Sequence, residues 1–332
     1  MKTTVIGAFP RIADEPGGQE LRRALHRFDR GEIDADALDR VFDATTRAAI
    51  GELEHAGIDV VNDGQIRWDD LFALPARSWD GVSRGPLERF YDTNTYFRQP
   101  VIEKRISTTG RTFVRDFDLA RSIATRELKA AVPGPLTFAT LTAEDRVYGD
   151  LEKRTLAIAD ALAEELRGLK AAGAPLVDVE DPAVVQLPQH IDLAREAYAR
   201  LASAGVPIAL QTYFFPSDRV LEFLAGIPVD QVGIDLRSRE TTALRRLDVF
   251  TRQTVVLGIV DARNTRLETV SEVAQQIEAA LTLLPPERVW FAPTTGLEYL
   301  PHDIASKKLA VLVEGARAAL GAGAGAPVRV AP

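Results

Sequence analysis

The stretch that decides the fold is Val206-Pro207-Ile208-Ala209-Leu210-Gln211-Thr212-Tyr213-Phe214. It is a short apolar run that follows a Gly/Pro turn signal and becomes polar within three residues. A run of this length is typical of a strand buried in a parallel sheet. Parallel α/β folds keep their chemistry at the carboxyl ends of such strands, so the polar exit predicts part of a functional site.

Seven other segments end in the same way, and helical patterns separate them. Eight strands alternating with helices predict a single (β/α)8 TIM barrel over residues 1–320 of the 332. The Gly- and Ala-rich residues 321–332 are predicted to form a flexible tail. The other predicted strands are 3–10, 58–65, 128–132, 176–182, 231–237, 254–260 and 289–292.

An insertion is predicted around residues 75–125, where the alternation of strands and helices breaks down. Aromatic residues are scattered through it, and residues 101–114 alternate between apolar and polar. This alternation favours a hairpin, which we expect to cover the site.

Composition excludes several functions. The net charge of -8, with signs interspersed, argues against nucleic-acid and anionic-membrane partners. The sequence has no run near the roughly 18 apolar residues of a membrane span, and residues 1–7 lead directly into a strand, so a cytoplasmic location is expected. With no cysteine, the chain cannot form disulfides, thiolate nucleophiles or thiolate-ligated metal sites.

Acids and arginines at neighbouring strand ends form one candidate site. Arginine pairs with carboxylates and acidic side chains accept from ammonium groups, so the expected partner is an anionic or zwitterionic small molecule. The alternative is that these charges pair with one another around the barrel rim. The candidate residues are Gly7, Arg11, Asp63, Gln65, Arg67, Trp68, Glu180, Asp181, Gln211, Tyr213, Asp235, Arg237, Arg239, Asp261 and Asn264.

Two aromatic candidates have both a functional and a structural interpretation. Tyr213 could donate a proton or stack on a flat ring, or it could pack beneath the insertion. Trp68 could be a stacking platform or a core residue. The four histidines are poor candidates, because none lies in a His-x-x-x-His pair.

Several motifs resemble those of the cobalamin-independent methionine synthases and their shorter archaeal-type relatives. The resemblance runs along nearly the whole chain, although residues 91–96 are similar to the amino-terminal barrel of the long enzymes. The motifs are Thr3-Thr4-Val5-Ile6-Gly7-Ala8-Phe9-Pro10, Asp63-Gly64-Gln65-Ile66-Arg67-Trp68-Asp69, Tyr91-Asp92-Thr93-Asn94-Thr95-Tyr96, Pro133-Gly134-Pro135-Leu136-Thr137, Asp178-Val179-Glu180-Asp181-Pro182-Ala183 and Pro293-Thr294-Thr295-Gly296-Leu297.

The resemblance implies a zinc-dependent barrel that transfers a methyl group from a methylated folate to homocysteine. The zinc ligands of that family fall here on Leu210, Thr212, Asp235 and Thr295, of which only Asp235 could bind a metal. The family's second-strand carboxylate, which holds the ammonium group of the amino acid, falls on Gln65. No cofactor is therefore predicted, and we expect a methyl or one-carbon transferase that uses a folate- or corrinoid-type donor without zinc.

On this hypothesis, Asp235 or Glu180 is the general base, and Arg237 or Arg239 stabilises an anionic acceptor. Tyr213 or Trp68 contacts a ring. Two alternatives stay open: a metal-independent lyase similar to uroporphyrinogen decarboxylase, and a ligand-binding barrel without catalysis.

Overall fold

The computed structural model describes residues 1–12, 16–238 and 241–323. The strands are β1 (Lys2–Thr3), β2 (Val60–Val61), β3 (Asp80–Arg89), β4 (Tyr96–Ser107), β5 (Glu127–Leu128), β6 (Ala130–Pro133), β7 (Glu144–Asp145), β8 (Val177–Glu180), β9 (Ile208–Gln211), β10 (Gln231–Asp235), β11 (Thr254–Val260) and β12 (Val289–Pro293). The α-helices are α1 (Glu20–Asp29), α2 (Ala35–Ala56), α3 (Ala73–Ser78), α4 (Val114–Ile123), α5 (Pro135–Thr140), α6 (Leu151–Ala171), α7 (Ala183–Gln186), α8 (Ile191–Ala202), α9 (Leu221–Gly226), α10 (Val270–Leu281) and α11 (His302–Gly323).

Parallel strands form a barrel. Seven of them pair in the order β1-β12-β11-β10-β9-β8-β6, and β2 pairs with β5. A bridge between Thr4 and Val60 joins β1 to β2. Lys129, the residue between β5 and β6, donates its backbone amide proton to the Val61 carbonyl of β2 at 3.0 Å. Counting β5 and β6 as two parts of one strand gives eight strand positions, so the predicted (β/α)8 architecture is confirmed.

Local sequence sets where the helices begin and end. The Asp34 side chain accepts from the Ala37 amide at 2.7 Å and starts α2. Gly57 ends this helix at φ 92°, a conformation that favours glycine. Thr269 and Glu272 form a capping box at the start of α10. Each cap fixes the point at which the chain returns to the barrel.

The inserted hairpin exists, but its bounds differ from the prediction. It is the antiparallel pair β3–β4, residues 80–107, and α4 follows it. Val114, Phe117 and Ala120 are buried at helical spacing, so the prediction of hairpin alternation up to residue 114 was wrong there. Residues 321–323 belong to α11, which corrects the start of the predicted tail, and residues 324–332 lie outside the described residues.

Glu165 on α6 anchors both ends of the hairpin. This fully buried carboxylate accepts from Trp79 Nε1 at 2.9 Å before β3, and from the Thr108 hydroxyl after β4. The amide and hydroxyl of Thr112 donate to it at 2.9 and 2.6 Å. The hairpin is therefore a fixed cover over the barrel mouth.

Replacing Glu165 with Ala is expected to lower the free energy of unfolding by about 3 kcal/mol, because the buried Trp79 donor and the part-buried donors of Thr108 and Thr112 lose their acceptor. Urea unfolding measures the loss. The matched control is Glu164→Ala, which removes an exposed carboxylate paired with Arg167 and should cost less than about 1 kcal/mol. Equal losses in the two variants would contradict the anchoring role.

Candidate active site

An acidic chamber of about 310 Å³ opens at the carboxyl ends of the strands. Gln65 follows β2, Glu180 ends β8, Tyr213 follows β9, and Glu298 follows β12. The hairpin covers the chamber. Its lining includes Phe9, Arg11, Gln65, Trp68, Asp69, Asp70, Phe90, Thr95, Phe97, Glu180, Tyr213, Glu298 and Tyr299.

Glu180 is the buried carboxylate of the acidic chamber. Gln65 Nε2 donates to its Oε1, and the Tyr213 hydroxyl donates to its Oε2 at 3.0 Å. Burial, together with the nearby Asp178 charge, raises the pKa of Glu180 to about 7 even though both hydrogen bonds favour the anion. Its protonation therefore changes in the neutral range, which suits a general base.

Glu298 is another carboxyl group of the same chamber, and it was not among the predicted site residues. Its side chain is open to the cavity and lies over Gly296, where a Cβ atom would overlap the carboxylate. Enclosure by the protein and the Glu180 charge raise the pKa of Glu298 to about 8. The only sequence signal was its position directly after the last predicted strand motif.

A larger arginine chamber of about 590 Å³ lies beside the acidic one. Thr95 and Tyr299 line both chambers and form their shared wall. The arginine chamber is lined by Tyr91, Asp92, Thr93, Asn94, Thr95, Phe214, Phe215, Pro216, Arg237, Asp261, Arg263 and Tyr299.

The two arginines of this chamber are held differently. Arg263 lies 3.4 Å from Asp261 and 3.7 Å from Asp235, and it donates to the Arg237 carbonyl. The Arg237 guanidinium makes no hydrogen bond or ion pair in the part of the chain that the structure describes. Arg237 is therefore available to an anionic group of a ligand.

Backbone strain is concentrated around the two chambers. Among the described non-glycine residues, only Gln65, Tyr91 and Phe214 have positive φ, at 50°, 49° and 71°. Each such conformation costs on the order of 1 kcal/mol. Gln65 holds Glu180, while Tyr91 and Phe214 line the arginine chamber in ring contact with each other. This distribution makes the barrel mouth the candidate functional site.

A buried ion pair lies inside the barrel near Glu180. Lys129 Nζ is 2.6 Å from Asp178 Oδ2, and both side chains are 1% exposed. Gln211 Nε2 donates to Asp178 Oδ1 at 3.0 Å. Gly233 leaves room for the Gln211 amide, because a Cβ atom there would overlap it. Gln211 therefore supports the interior of the barrel and does not line either chamber.

The predicted residues divide into those that line a chamber and those that do not. Arg11, Gln65, Trp68, Glu180 and Tyr213 line the acidic chamber, and Arg237 and Asp261 line the arginine chamber. Gly7 is directly beside Glu180, since a Cβ atom on it would lie 3.5 Å from Oε2. Arg239 lies outside the described residues. Asp63, Arg67, Asp181, Gln211, Asp235 and Asn264 line neither chamber.

Asp235 and Asn264 stabilise turns beside the arginine chamber. The Asp235 carboxylate accepts from the backbone amides of Arg237, Ser238 and Phe214 at 2.8, 2.9 and 3.2 Å. Asn264 Nδ2 donates to Asp261 at 2.6 Å. These contacts place Asp235 as a turn anchor, in contrast to its predicted role as general base.

Arg67, Asp63 and Asp181 are directed away from the chambers. Arg67 forms ion pairs with Asp39, Asp43 and Asp116. Asp63 lies behind the acidic chamber, and burial with the Asp116 charge raises its pKa to about 7. Asp181 is fully buried and accepts from Thr137 and Tyr198. The arginine grip required by the decarboxylase alternative is therefore not assembled around Arg67.

Of the four expected zinc positions, three carry residues that do not fit zinc. Leu210 is fully buried and, by strand alternation, faces away from the side occupied by Gln211. Thr212 donates its hydroxyl proton to the Gly233 carbonyl at 2.6 Å, and Thr295 is buried. Among the described residues, no group of three or more His, Cys, Asp or Glu side chains could hold a metal ion.

A closed parallel barrel with its cavities at the carboxyl ends of the strands defines a (β/α)8-barrel enzyme fold. Residues 1–318 match the family described as cobalamin-independent synthase, catalytic domain. The chain therefore belongs to the cobalamin-independent methionine synthase family, which confirms the resemblance. No described helix has the length and apolar character needed to cross a membrane.

Two relatives are similar in sequence along nearly the whole chain, and one solved structure shares the fold. The chain is 28% identical over 320 residues to a methionine synthase of Sulfurisphaera tokodaii, covering 96% of this chain and 92% of that protein. It is 29% identical over 322 residues to the Saccharolobus solfataricus methionine synthase, covering 96% and 94%. The fold is similar to a B12-independent methionine synthase of Shewanella sp. W3-18-1 in complex with selenomethionine, with a TM-score of 0.85, 19% identity and coverage of 98% and 99%.

Proposed function

We propose that this chain transfers a methyl or related one-carbon group to a small acceptor bound in the acidic chamber, without the zinc of its family. The observation that carries the proposal is Glu180, a buried carboxylate held by Gln65 and Tyr213 with a pKa of about 7. It lies at the barrel mouth, and the described residues include no group of three or more His, Cys, Asp or Glu side chains that could hold a metal ion.

The acceptor must lose its proton before or during its attack on the methyl group. A free thiol has a pKa of about 8.5 and is largely protonated at pH 7, so zinc normally supplies the thiolate. A carboxylate with a pKa of about 7 can instead take the acceptor proton during the attack. The acceptor lone pair forms the new bond to the methyl carbon, and the bond from methyl to donor breaks with its electron pair on the donor. Glu180 then returns this proton through solvent to the leaving nitrogen of the donor, so the carboxylate is regenerated and the protons balance.

The arginine chamber suits the methyl donor. Phe214, Phe215 and Tyr299 offer ring surfaces for a flat heterocycle, and Arg237 offers an unpaired guanidinium for a carboxylate. These properties favour a folate-type donor over the larger corrinoid. Because Thr95 and Tyr299 line both chambers, donor and acceptor would lie in adjoining cavities, and direct transfer requires that the donor methyl reach the acceptor past these two side chains.

Purified protein is expected to transfer methyl groups from methylated folate to homocysteine equally well with added zinc and with a metal chelator, because no zinc-activated thiolate is required. Methionine formation, followed by mass spectrometry, measures the reaction. Methylcobalamin as donor tests the corrinoid alternative in parallel. Transfer that requires zinc would contradict the zinc-free mechanism. Absence of methionine in every mixture would contradict methyl transfer to homocysteine.

A further inference from the structure

We propose that Asp63 is a positioning residue: it holds Gln65 in the backbone conformation from which the Gln65 side-chain amide donates to Glu180. Asp63 lines neither chamber, so it acts on the site only through other residues. Its effect on the structure is independent of the proposed function, whereas its effect on methyl transfer rests on that function.

Gln65 lies in a turn that residues with a Cβ atom rarely adopt. Gly64 and Gln65 both have left-handed backbone conformations, with φ of 70° and 50°. Glycine adopts this conformation freely, but for glutamine it costs on the order of 1 kcal/mol. The strain at Gln65 is therefore offset by contacts that exist only in this conformation.

Asp63 provides such a contact. Its Oδ1 accepts from the backbone amide of Gln65 at 3.0 Å, the Asx turn that an aspartate forms with the residue two positions ahead. Asp63 forms no ion pair with any described residue, because the neighbouring Arg67 pairs with aspartates on α2 and α4. The Asp63 carboxyl group is therefore committed to the turn.

Gly64, the residue before Gln65, is held from both sides. Asn62 Oδ1 accepts from the Gly64 amide at 2.9 Å, and Asn62 Nδ2 donates to the Gly7 carbonyl at 2.9 Å. The Phe9 amide donates to the Gly64 carbonyl at 3.0 Å. These hydrogen bonds tie the turn to the loop after β1 as far as Gly64, and Asp63 extends the same restraint to Gln65.

The restraint reaches Glu180 through the Gln65 side chain. Gln65 is 5% exposed, and its Nε2 donates to Glu180 Oε1. Burial raises the pKa of Glu180, and of the contacts that oppose this rise the Gln65 hydrogen bond contributes most. If the turn relaxes, that hydrogen bond is lost and the pKa of Glu180 rises further.

A direct effect of the Asp63 charge on Glu180 is the alternative. Loss of the turn raises the pKa of Glu180, whereas loss of a nearby negative charge lowers it, so the two mechanisms predict opposite changes. The other titratable groups that face Glu180 are Tyr213, Tyr299, Asp178, Glu298 and Lys129, and those that face Asp63 are Asp116, Arg67 and Lys129.

Two substitutions separate these mechanisms. Asp63→Asn removes the charge but keeps an oxygen that can accept from the Gln65 amide, so the pKa of Glu180 should stay near its wild-type value of about 7. Asp63→Leu removes both the charge and the acceptor at similar volume, and should raise that pKa by about 1 pH unit.

The pKa is measured by NMR titration of the full chain labelled with ¹³C at the glutamate carboxyl groups. The Glu180 signal is identified by its absence in Glu180→Gln. A lower pKa in both Asp63 variants would show a direct charge effect and overturn the proposal. An unchanged pKa in Asp63→Leu would also overturn it.

The matched control is Asp145→Leu. Asp145 forms the same kind of turn, since its Oδ1 accepts from the Val147 amide at 2.9 Å, and it is absent from both chamber linings. This substitution should leave the pKa of Glu180 unchanged. Equal increases in Asp145→Leu and Asp63→Leu would overturn the proposal.

Gln65→Ala tests whether Asp63 acts through Gln65. This variant should raise the pKa of Glu180 by about 1 pH unit by itself, and adding Asp63→Leu to it should cause no further rise. A further rise would overturn the role of Gln65 as intermediary. If Asp63→Leu does not fold, Asp63→Ala, which adds no bulk, replaces it in every comparison.

The kinetic test connects the turn to catalysis. At pH 7, Asp63→Leu should lower kcat/KM for methyl transfer about fivefold, because less Glu180 is ionised, and the loss should disappear near pH 9. A raised pKa with unchanged kcat/KM would overturn the effect on transfer. A raised pKa in a protein that transfers no methyl group would leave the positioning role standing and count against the proposed function alone.

Discussion

Replacing Glu180 with Gln is expected to lower kcat/KM for methyl transfer about a thousandfold, because a general base typically contributes 10²- to 10⁴-fold. The substitution keeps the size of the side chain and an oxygen that can accept from Tyr213. The matched control is Glu54→Gln, which changes a carboxylate hydrogen-bonded to Thr125 and absent from both chamber linings. An unchanged rate in Glu180→Gln would contradict the role of Glu180 as base.

The pH dependence gives a second test of the same residue. In the wild-type protein, kcat/KM should rise with pH through about 7, because only ionised Glu180 can accept a proton. This rise should disappear in Glu180→Gln.

The folding stability of the wild-type protein should fall as pH rises, whereas kcat/KM rises. The folded-state pKa of about 7 lies above the ordinary value of 4.5, so ionisation of Glu180 makes folding less favourable as pH rises between those values. Glu180→Gln should therefore be at least as stable as wild type at pH 8, as measured by Tm.

Replacing Lys129 with Met is expected to lower the free energy of unfolding by about 3–5 kcal/mol, because it leaves Asp178 buried without its counter-charge. Burial already raises the pKa of Asp178, and the Lys129 charge opposes that rise. The variant should therefore lose most stability near neutral pH, where an unpaired Asp178 must either ionise at a cost or take up a proton. Urea unfolding at pH 7 measures the loss.

The double variant Lys129→Met/Asp178→Asn is the control. It removes both charges and should recover part of the lost stability, since a buried pair is often replaceable by neutral residues. If the double variant is less stable than the single one by the full cost of Asp178→Asn alone, the two residues are not energetically coupled. That result would contradict the interpretation of Lys129 and Asp178 as a stabilising buried ion pair.

Much of the fold was predictable because the barrel repeats one local pattern. Each strand is an apolar run with a polar end, and short-range periodicity detects such runs well. The hairpin bounds were less predictable, because the stretch 101–114, read as alternating, runs directly into α4, where Val114, Phe117 and Ala120 are buried at helical spacing. Only packing against the rest of the core distinguishes a helix from a hairpin strand at these residues.

The sequence predicted which residues lie near the candidate site, but not the directions in which their side chains point. Residues at strand ends were identified correctly as neighbours, as Gln65, Glu180 and Tyr213 show. The direction of a long side chain depends on distant partners, and Arg67 pairs with aspartates on α2 and α4 instead of facing the cavity. The positive φ of Phe214 and the placement of Glu298 over Gly296 likewise depend on tertiary structure.

The shared wall formed by Thr95 and Tyr299 has a consequence for the order in which ligands bind. The Tyr299 ring contacts Phe214 with ring centroids 5.9 Å apart, so displacement of Tyr299 on one side changes the space available on the other. If an occupant of one chamber shifts this ring, it alters affinity in the other, and thermodynamic reciprocity makes the factor equal in both directions. Two neighbouring cavities that share Thr95 and Tyr299 in their wall are therefore coupled whenever a ligand displaces the tyrosine.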